Sequence, residues 1–581
     1  GGEGLVNSGS SFGGWNVVSG PNKGTHYNTG QIIPMPSGDM VLEPAWGHVE
    51  VELELGNVDI ADPPGNQMAD DAKTYVNVNK KNVGLLHFNN VQTDNGVTIS
   101  VTDIISLSVI DQTVTYDKIE DENDPHRVKL TNVPNVVYAR HVGATENDKV
   151  VAYLVPNQTQ PGKYDEYVAG PGGVKAPVDS SALFYSDSSN SKEDINFHSI
   201  SLAGLDTSGV MDMSQMFWRQ NALKILNLGD KFDTSSVTSM ADMFDECSSL
   251  TSIDLSGFDT SSVTDMSGMF ATSDGLTSLD LSEFDTSKVT NMSRMFSECN
   301  SIKSITFSEG FDTSQVTNME NMFYECGQLQ ELDLSSFNTT KVKNMLAMFA
   351  ECHSLTKLNL GNNFDTSNVR TMNSDDPYLW YGGLFEDCYS LESLDLGDKF
   401  NTSNVSDFSE MFYGCSSLKS LDLGNQFDTS KAWSMYRMFC GCTSLTKINL
   451  GNSFGTANVK NMESMFAGCS AVGSLDLGDR FDTSSVTNMS YMFSNCSSLE
   501  SLDLGDRFDT SKVSGMESMF AGCEALKDIT GYIKLGENNA AQSMSRMFFY
   551  CTALKSVPFE TPESGAQFDS LSSMEDMFNG C

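Results

Sequence analysis

Thirteen cysteines, seven histidines and 77 acidic residues are the groups in this 581-residue chain that could do chemistry, so their spacing is examined first. Twelve of the cysteines (Cys247, Cys299, Cys326, Cys352, Cys388, Cys415, Cys442, Cys469, Cys496, Cys523, Cys551 and Cys581) each follow a phenylalanine by three residues. Zinc sites cluster Cys or His two to four residues apart, and Cys440-Gly-Cys442 alone is too tight for one. Ser273 and Gln220 take the same place in other copies, so the series reads as a ladder of small buried thiols. The histidines are scattered without a paired spacing. Gly9-Ser-Ser11-Phe-Gly13 spells a nucleophile-elbow pattern but lies in a glycine-rich stretch, without the strand and helix an elbow needs. Glu120–Asp124 lacks the spacing and glycine of a calcium loop and reads as a solvated turn. No phosphate-binding glycine pattern and no isolated carboxylate pair stands out, so the sequence points away from an enzyme and implies no cofactor.

Two acidic or aromatic features call for more. Asp254, Asp280, Asp333, Asp395, Asp422, Asp476 and Asp503 each stand between two core residues of a short strand, with Asn227, Asn359 and Asn449 in other copies. Facing outward at strand spacing, like charges about 5 Å apart repel by roughly 1–3 kcal/mol. Either water and Ser, Thr or Lys neighbours absorb that repulsion, or the ladder binds a cation such as calcium. The second feature is Tyr378, Leu379, Trp380 and Tyr381, four bulky residues inside an insertion that stretches one repeat to 36 residues. They either form a contact site on the outside or fold back as a local plug.

The elements that position these groups come from one phrase written over and over. Its Met-Phe pair begins at Met216, Met243, Met269, Met295, Met322, Met348, Leu384, Met411, Met438, Met465, Met492, Met519, Met547 and Met577, mostly 26 or 27 residues apart. A period of that size means a solenoid, because one such unit cannot bury its own apolar face. Leu250-x-x-Ile253-x-Leu255 alternates as a short strand. Met266, Met269, Phe270 and position 273 are spaced i, i+3, i+4, i+7, which predicts two turns of helix. Thr317 with Glu320 and Ser514 with Glu517 predict capping boxes ahead of it. Between them, Phe-Asp-Thr-Ser supplies an inward ring and turn-forming oxygens. Strand, turn and short helix resemble a leucine-rich repeat. The expectation is an α/β solenoid of about fourteen coils, with a parallel sheet about 65 Å long. Met, Phe and Cys then fill the interior rather than holding a metal.

Acidic residues outnumber Lys and Arg 77 to 35, for a formal net charge of −42, a field that disfavours nucleic acid. No run reaches the roughly 18 apolar residues of a membrane span. The chain starts at Gly1 and stops at Cys581, where other copies continue, so both ends are expected to be cut from a longer protein. Before the repeats, Val49–Leu55, Val97–Thr102 and Val150–Val155 alternate, with turns at Pro63-Pro-Gly, Asp94-Asn-Gly and Pro161-Gly, predicting a β-rich, sandwich-like module over 47–180. Residues 181–215 are expected to be linker and a degenerate coil that shields the open end of a solenoid over 216–581.

The phrases Leu-Asp-Leu-Ser-x-Phe-Asp-Thr-Ser-x-Val-Thr-x-Met and Met-Phe-x-x-Cys-x-Ser-Leu, nearly complete at 279–302 and 475–499, resemble the BspA-like leucine-rich-repeat surface proteins. Within 1–46, Phe12-Gly-Gly-Trp15, Gly24-Thr-His-Tyr27, Met35-Pro36 and Asp39–Leu42 resemble a Listeria–Bacteroides (internalin-type B) repeat, a small β-grasp-like spacer. The resemblances imply a non-enzymatic adhesin displayed on a bacterial, Gram-positive surface. Its partners would be host matrix proteins, glycoproteins or cell-surface ligands, with self-association in a surface layer or filament as the alternative.

Each ladder cysteine lies on the apolar stripe, and Ser or Gln can replace it, which suits packing rather than pairing. Mass-spectrometric counting of thiols in denatured, unreduced protein is therefore expected to find nearly all thirteen free. A count near one would mean that neighbouring coils are cross-linked.

Overall fold

A computed structural model describes residues 11–19, 26–27, 41–47, 74–75, 91–93, 97–121, 126–142, 149–185, 197–308, 310–373, 382–534, 542–557, 559–560 and 571–581. The expected Val49–Leu55 strand, residues 186–196 of the expected linker and coil, and the Tyr378–Tyr381 run lie outside them. The chain forms two compact units, 1–70 and 71–581. In the first, the Ser11–Ser19 strand pairs antiparallel with both His26–Tyr27 and Val41–Gly47.

The repeats of the second unit stack as a solenoid of short parallel strands. In the coil beginning at Leu276, Ser278–Leu281 alternates exposed and buried, with Leu279 and Leu281 inward and Asp280 outward. It pairs in register with Ser304–Phe307 of the next coil, Leu279 opposite Ile305. Further round the same coil, Phe284, Val289, Met292, Met295, Phe296 and Cys299 are all buried. Rings of the Met-Phe phenylalanines stack from Phe217 to Phe578, and across the insertion Phe349 meets Phe385 at 5.5 Å with only 3° between planes. The apolar spacing therefore builds one continuous spine.

The expected helix is absent. Among the described residues there is no α-helix, and the Met-Phe segment is a string of tight turns. The N–H groups of Met295, Ser297 and Cys299 donate within the coil to Met292, Arg294 and Phe296 carbonyls three residues back. The alternate N–H groups, of Met292, Arg294, Phe296 and Glu298, donate to carbonyls of Asn318, Glu320, Met322 and Tyr324 in the next coil. An α-helix would point all of these along its own axis rather than across to the neighbouring coil. Arg294 and Glu298 hold φ of 57° and 59°, the left-handed third position of a type II turn. That conformation costs a non-glycine residue about 1–2 kcal/mol and stops a right-handed helix. Apolar residues at i, i+3, i+4 and i+7 fit successive three-residue turns as well as a helix. The capping boxes dissolve for the same reason: Thr317 Oγ1 donates to the Thr290 carbonyl one coil back. Ser514 Oγ does likewise to Thr487.

The buried threonines inside the solenoid are paired from coil to coil. Thr456 is fully buried, yet its Oγ1 donates to the Asp482 carbonyl at 2.8 Å and accepts the Asp482 N–H at 2.7 Å. Every Phe-Asp-Thr threonine from Thr207 to Thr483 donates to the next coil in this way. The Asp beside it accepts a turn N–H, as Asp259 does from Ser261 at 3.0 Å.

The N-terminal end departs from expectation. A six-stranded sheet runs Tyr138–His141, Val151–Pro156, Tyr164–Gly170, Ile104–Asp111, Ser199–Ser201, Ile225–Asn227. Ile104–Asp111 pairs parallel with Ser199–Ser201, which pairs parallel with Ile225–Asn227. The degenerate coil at 197–215 therefore sits between the β module and the repeats rather than closing an open end, and one hydrophobic core runs from Val91 to Met577. The Tyr116–Lys118 and Val128–Leu130 hairpin packs on the sheet's other face, over Ala139, Val151, Tyr153 and Ala169. The turn ladder also starts early: Ser180, Ala182 and Phe184 donate to carbonyls of Asp212, Ser214 and Met216, and Phe184 stacks on Phe217.

Replacing Thr456 by Val removes both cross-coil bonds and strands a buried carbonyl and N–H. Chemical denaturation should show a loss of about 1–3 kcal/mol. Thr487→Val, on the exposed side of a coil, should cost under about 0.5 kcal/mol.

Candidate binding surface

The buried thiols have a local reason. Cys247 Sγ donates to the Phe217 carbonyl at 3.2 Å, and the same bond recurs at Cys299, Cys326, Cys352, Cys388, Cys415, Cys442, Cys469, Cys496, Cys523 and Cys551. Ser273 Oγ makes it at 2.7 Å, and Gln220 Nε2 reaches the Phe184 carbonyl at 2.7 Å. A donor is what the position requires, which is why Ser and Gln substitute. Burial pushes the thiols up, Cys415 to about 12, so they stay protonated and unreactive. Cys440 is half-buried and Cys581 exposed.

The outward Asp ladder is a set of turns. Asp254, Asp280, Asp395, Asp422, Asp476 and Asp503 are exposed, and each Oδ1 accepts the N–H two residues on, at 2.9–3.1 Å. Asn449 donates Nδ2 to Asp422, and Asn359 to Asp333, which explains why Asn interrupts the Asp column. Hydrogen bonds from Ser256 and Ser282 hold the Asp254 and Asp280 carboxyls below their ordinary value. Among the described residues no three His, Cys, Asp or Glu side chains form a group that could hold a metal ion. Each carboxylate of the column thus serves its own turn. Tyr378, Leu379, Trp380 and Tyr381 lie outside the described residues, whereas the ladder rejoins at Gly382–Leu384, with Leu384 in the place of Met.

Two features escaped the sequence reading. On the turn side, next to where the ladder rejoins, Glu351, Glu386, Asp387 and Glu410 crowd together from successive coils. Tyr324 donates its hydroxyl to Glu351 at 2.9 Å, His353 stacks on Tyr389 at 4.8 Å, and Arg437 approaches Glu410 at 3.4 Å. Burial first, and then Glu410, Asp387 and Glu351, push the Glu386 carboxyl up to about 8. Each of these groups is ordinary alone, and only stacking brings them together.

The second feature is a column of outward residues. Thr238, Thr264, Thr290 and Thr317 occupy it first, followed by Lys343, Arg370, Ser406, Trp433 and Lys460, then Thr487 and Ser514. Their backbones form a ladder: Lys343 N–H donates to Thr317, Arg370 to Lys343, Trp433 to Ser406 and Lys460 to Trp433, at 2.8–2.9 Å. Trp433 is 46% exposed. Elsewhere, Ser106, Asn157, Asp165, Tyr167, His198 and Lys224 line a shallow pocket of about 310 Å³ where the β module meets the first coil. Its carboxylate is already engaged, since Asp165 accepts from Ser106 Oγ at 2.6 Å and from Asn157 Nδ2 at 2.9 Å.

The Glu386 carboxyl binds its proton more tightly folded than unfolded, since its folded value lies above the ordinary 4.5. Its contribution to stability is complete below about pH 4.5 and is lost as pH rises toward 8. Thermal melts across pH 4–9 should therefore show a decline toward alkaline pH that Glu386→Gln flattens.

Comparison with known proteins gives a family and a similar solved structure. The sequence profile of the family described as "Mycoplasma protein of unknown function, DUF285" matches residues 182–309, 271–375, 382–478, 452–558 and 475–581. A leucine-rich repeat protein from Eubacterium ventriosum ATCC 27560 is similar at 15% identity, over 61% of this chain and 82% of that one, with a TM-score of 0.19. No curated protein matches the chain in sequence.

Proposed function

We propose that this chain, which belongs to the DUF285 family, is a non-enzymatic binding protein of the bacterial cell surface, an adhesin in which a solenoid of about fourteen leucine-rich-repeat-type coils presents its flank to host or neighbouring-cell ligands. The observation that carries this reading is the contrast between inside and outside. Inward positions repeat Leu, Phe, Val, Met and Cys almost without change, while outward positions on the same backbone differ from coil to coil. A rigid ladder with a varied exterior is suited to recognition over an extended surface, as in other repeat proteins. The acidic exterior keeps such a surface soluble and discourages indiscriminate contact with phosphate-rich polymers. The N-terminal unit, with its resemblance to a surface-protein spacer, serves as stalk. No helix among the described residues is long and apolar enough to cross a membrane.

Purified protein is expected to bind at least one member of a panel of matrix proteins, mucins and whole cells in surface plasmon resonance or solid-phase assays. A uniformly negative panel would overturn the adhesin reading. Ordered filaments or sheets of the protein in electron micrographs would then favour a structural role.

A further inference from the structure

The outward column holding Lys343, Arg370, Trp433 and Lys460 marks a place where an acidic protein turns basic. Two residues earlier in the same coils, Lys341 and Lys431 point outward beside them, because a buried valine or alanine separates each pair. None of these five cations makes an ion pair among the described residues. Lys341 donates to the neutral Gln315 Oε1 at 2.5 Å and Lys431 to Asn404 Oδ1 at 2.7 Å, leaving both charges uncompensated. Among the described residues, the acids of the adjoining turn alternate with neutral residues. Asp365 and Asp428 accept their own turn N–H groups, Asp407 is buried on Ser409, and Asn338, Asn401 and Gly455 replace Asp in alternate coils. Backbone bonds join Lys343 to Arg370 and Ser406 through Trp433 to Lys460, and Asn404 Nδ2 joins the two sets by donating to the Ser367 carbonyl, so five coils at about 4.8 Å make a row about 20 Å long. An exposed indole stands within it.

We infer that this row, Lys341, Lys343, Arg370, Lys431, Trp433 and Lys460, is a binding site for an extended acidic polysaccharide, one carrying carboxylate or sulfate groups at intervals along a chain of sugar rings. The inference rests on the adhesin reading and names its ligand class. Evenly spaced cations match evenly spaced anions on a linear polymer, and the flat face of Trp433 offers a surface for the C–H face of a pyranose ring. Asn368, Asn404 and Asn458 in the same row are held rigid by bonds from their Nδ2 groups to carbonyls of the preceding coil. The net charge of −42 does not forbid this contact. At physiological salt, charges beyond about 8 Å are largely screened, whereas the row touches its ligand directly. The same field penalises a densely charged phosphodiester chain more than a polysaccharide bearing one or two charges per disaccharide, which favours the sugar polymer over nucleic acid.

The test uses the full chain with chondroitin sulfate and hyaluronan as probes, alongside dextran, single-stranded DNA and polyglutamate. Binding to at least one acidic polysaccharide and not to dextran is expected. Lys343→Gln combined with Arg370→Gln should weaken it tenfold or more. Trp433→Thr, which installs the residue that the same column carries at Thr317 and Thr487, should do so as well, with melting temperature unchanged. Lys288→Gln, outside the row, should leave binding as it was. Binding that ignores these substitutions, or that prefers DNA or polyglutamate, overturns the inference. Failure to bind any acidic polysaccharide, while matrix proteins or cells are still bound, overturns this inference alone and leaves the adhesin reading standing.

Discussion

The hydrogen bond from one coil's backbone to the next is the constraint on which everything else in the solenoid depends. Each turn of the Met-Phe segment uses half its N–H groups to hold its own shape and sends the other half to its neighbour. That division requires left-handed residues at fixed places, which are filled by Arg294, Glu298, Glu325 and Glu351 in some coils and by Gly414, Gly441 and Gly468 in others. The local strain of about 1–2 kcal/mol per non-glycine residue is offset by the bonds it enables and by the stacked rings they bring into register. The buried threonines and thiols complete the same scheme. Each offers a hydrogen to a carbonyl one coil away, so that these hydroxyls and thiols sit in a narrow interior with a partner.

Much of this was legible in the sequence. The period, the inward Leu, Phe and Met positions, the strand alternation and the burial of the cysteines all follow from spacing and residue type. The turn string was not, because three-residue turns and a helix place apolar side chains at the same intervals. The glycines preceding Cys415, Cys442, Cys469 and Cys523 were the available hint, masked by Glu and Asp at the same position elsewhere. The buried Phe-Asp-Thr threonine was equally hidden, since its partner lies in another coil. No local pattern announces that Leu107 of the β module pairs with Ile200.

The candidate surface was legible in a different sense. The Asp column was visible, but its role depends on N–H groups two residues away, which turn a row of apparent ligands into a row of turns. The Lys343–Lys460 column and the carboxylates around Glu386 become visible only when repeats are stacked in their true register, which the insertion before Leu384 obscures. Charge on this protein is thus organised across coils, at right angles to the direction in which the sequence is written.

The joining of the β module to the repeats has a mechanical consequence. The coil-to-coil bonds lie along the stacking axis, so tension applied through the end remote from the β module loads them one coil after another rather than together. Each coil that peels away frees 26 or 27 residues, roughly 90 Å of extended chain. At the other end, Ile104–Asp111 is flanked by strands on both sides and cannot be peeled in this way. A chain built like this lengthens in small increments and holds fast at one end, so it yields under load rather than breaking all at once.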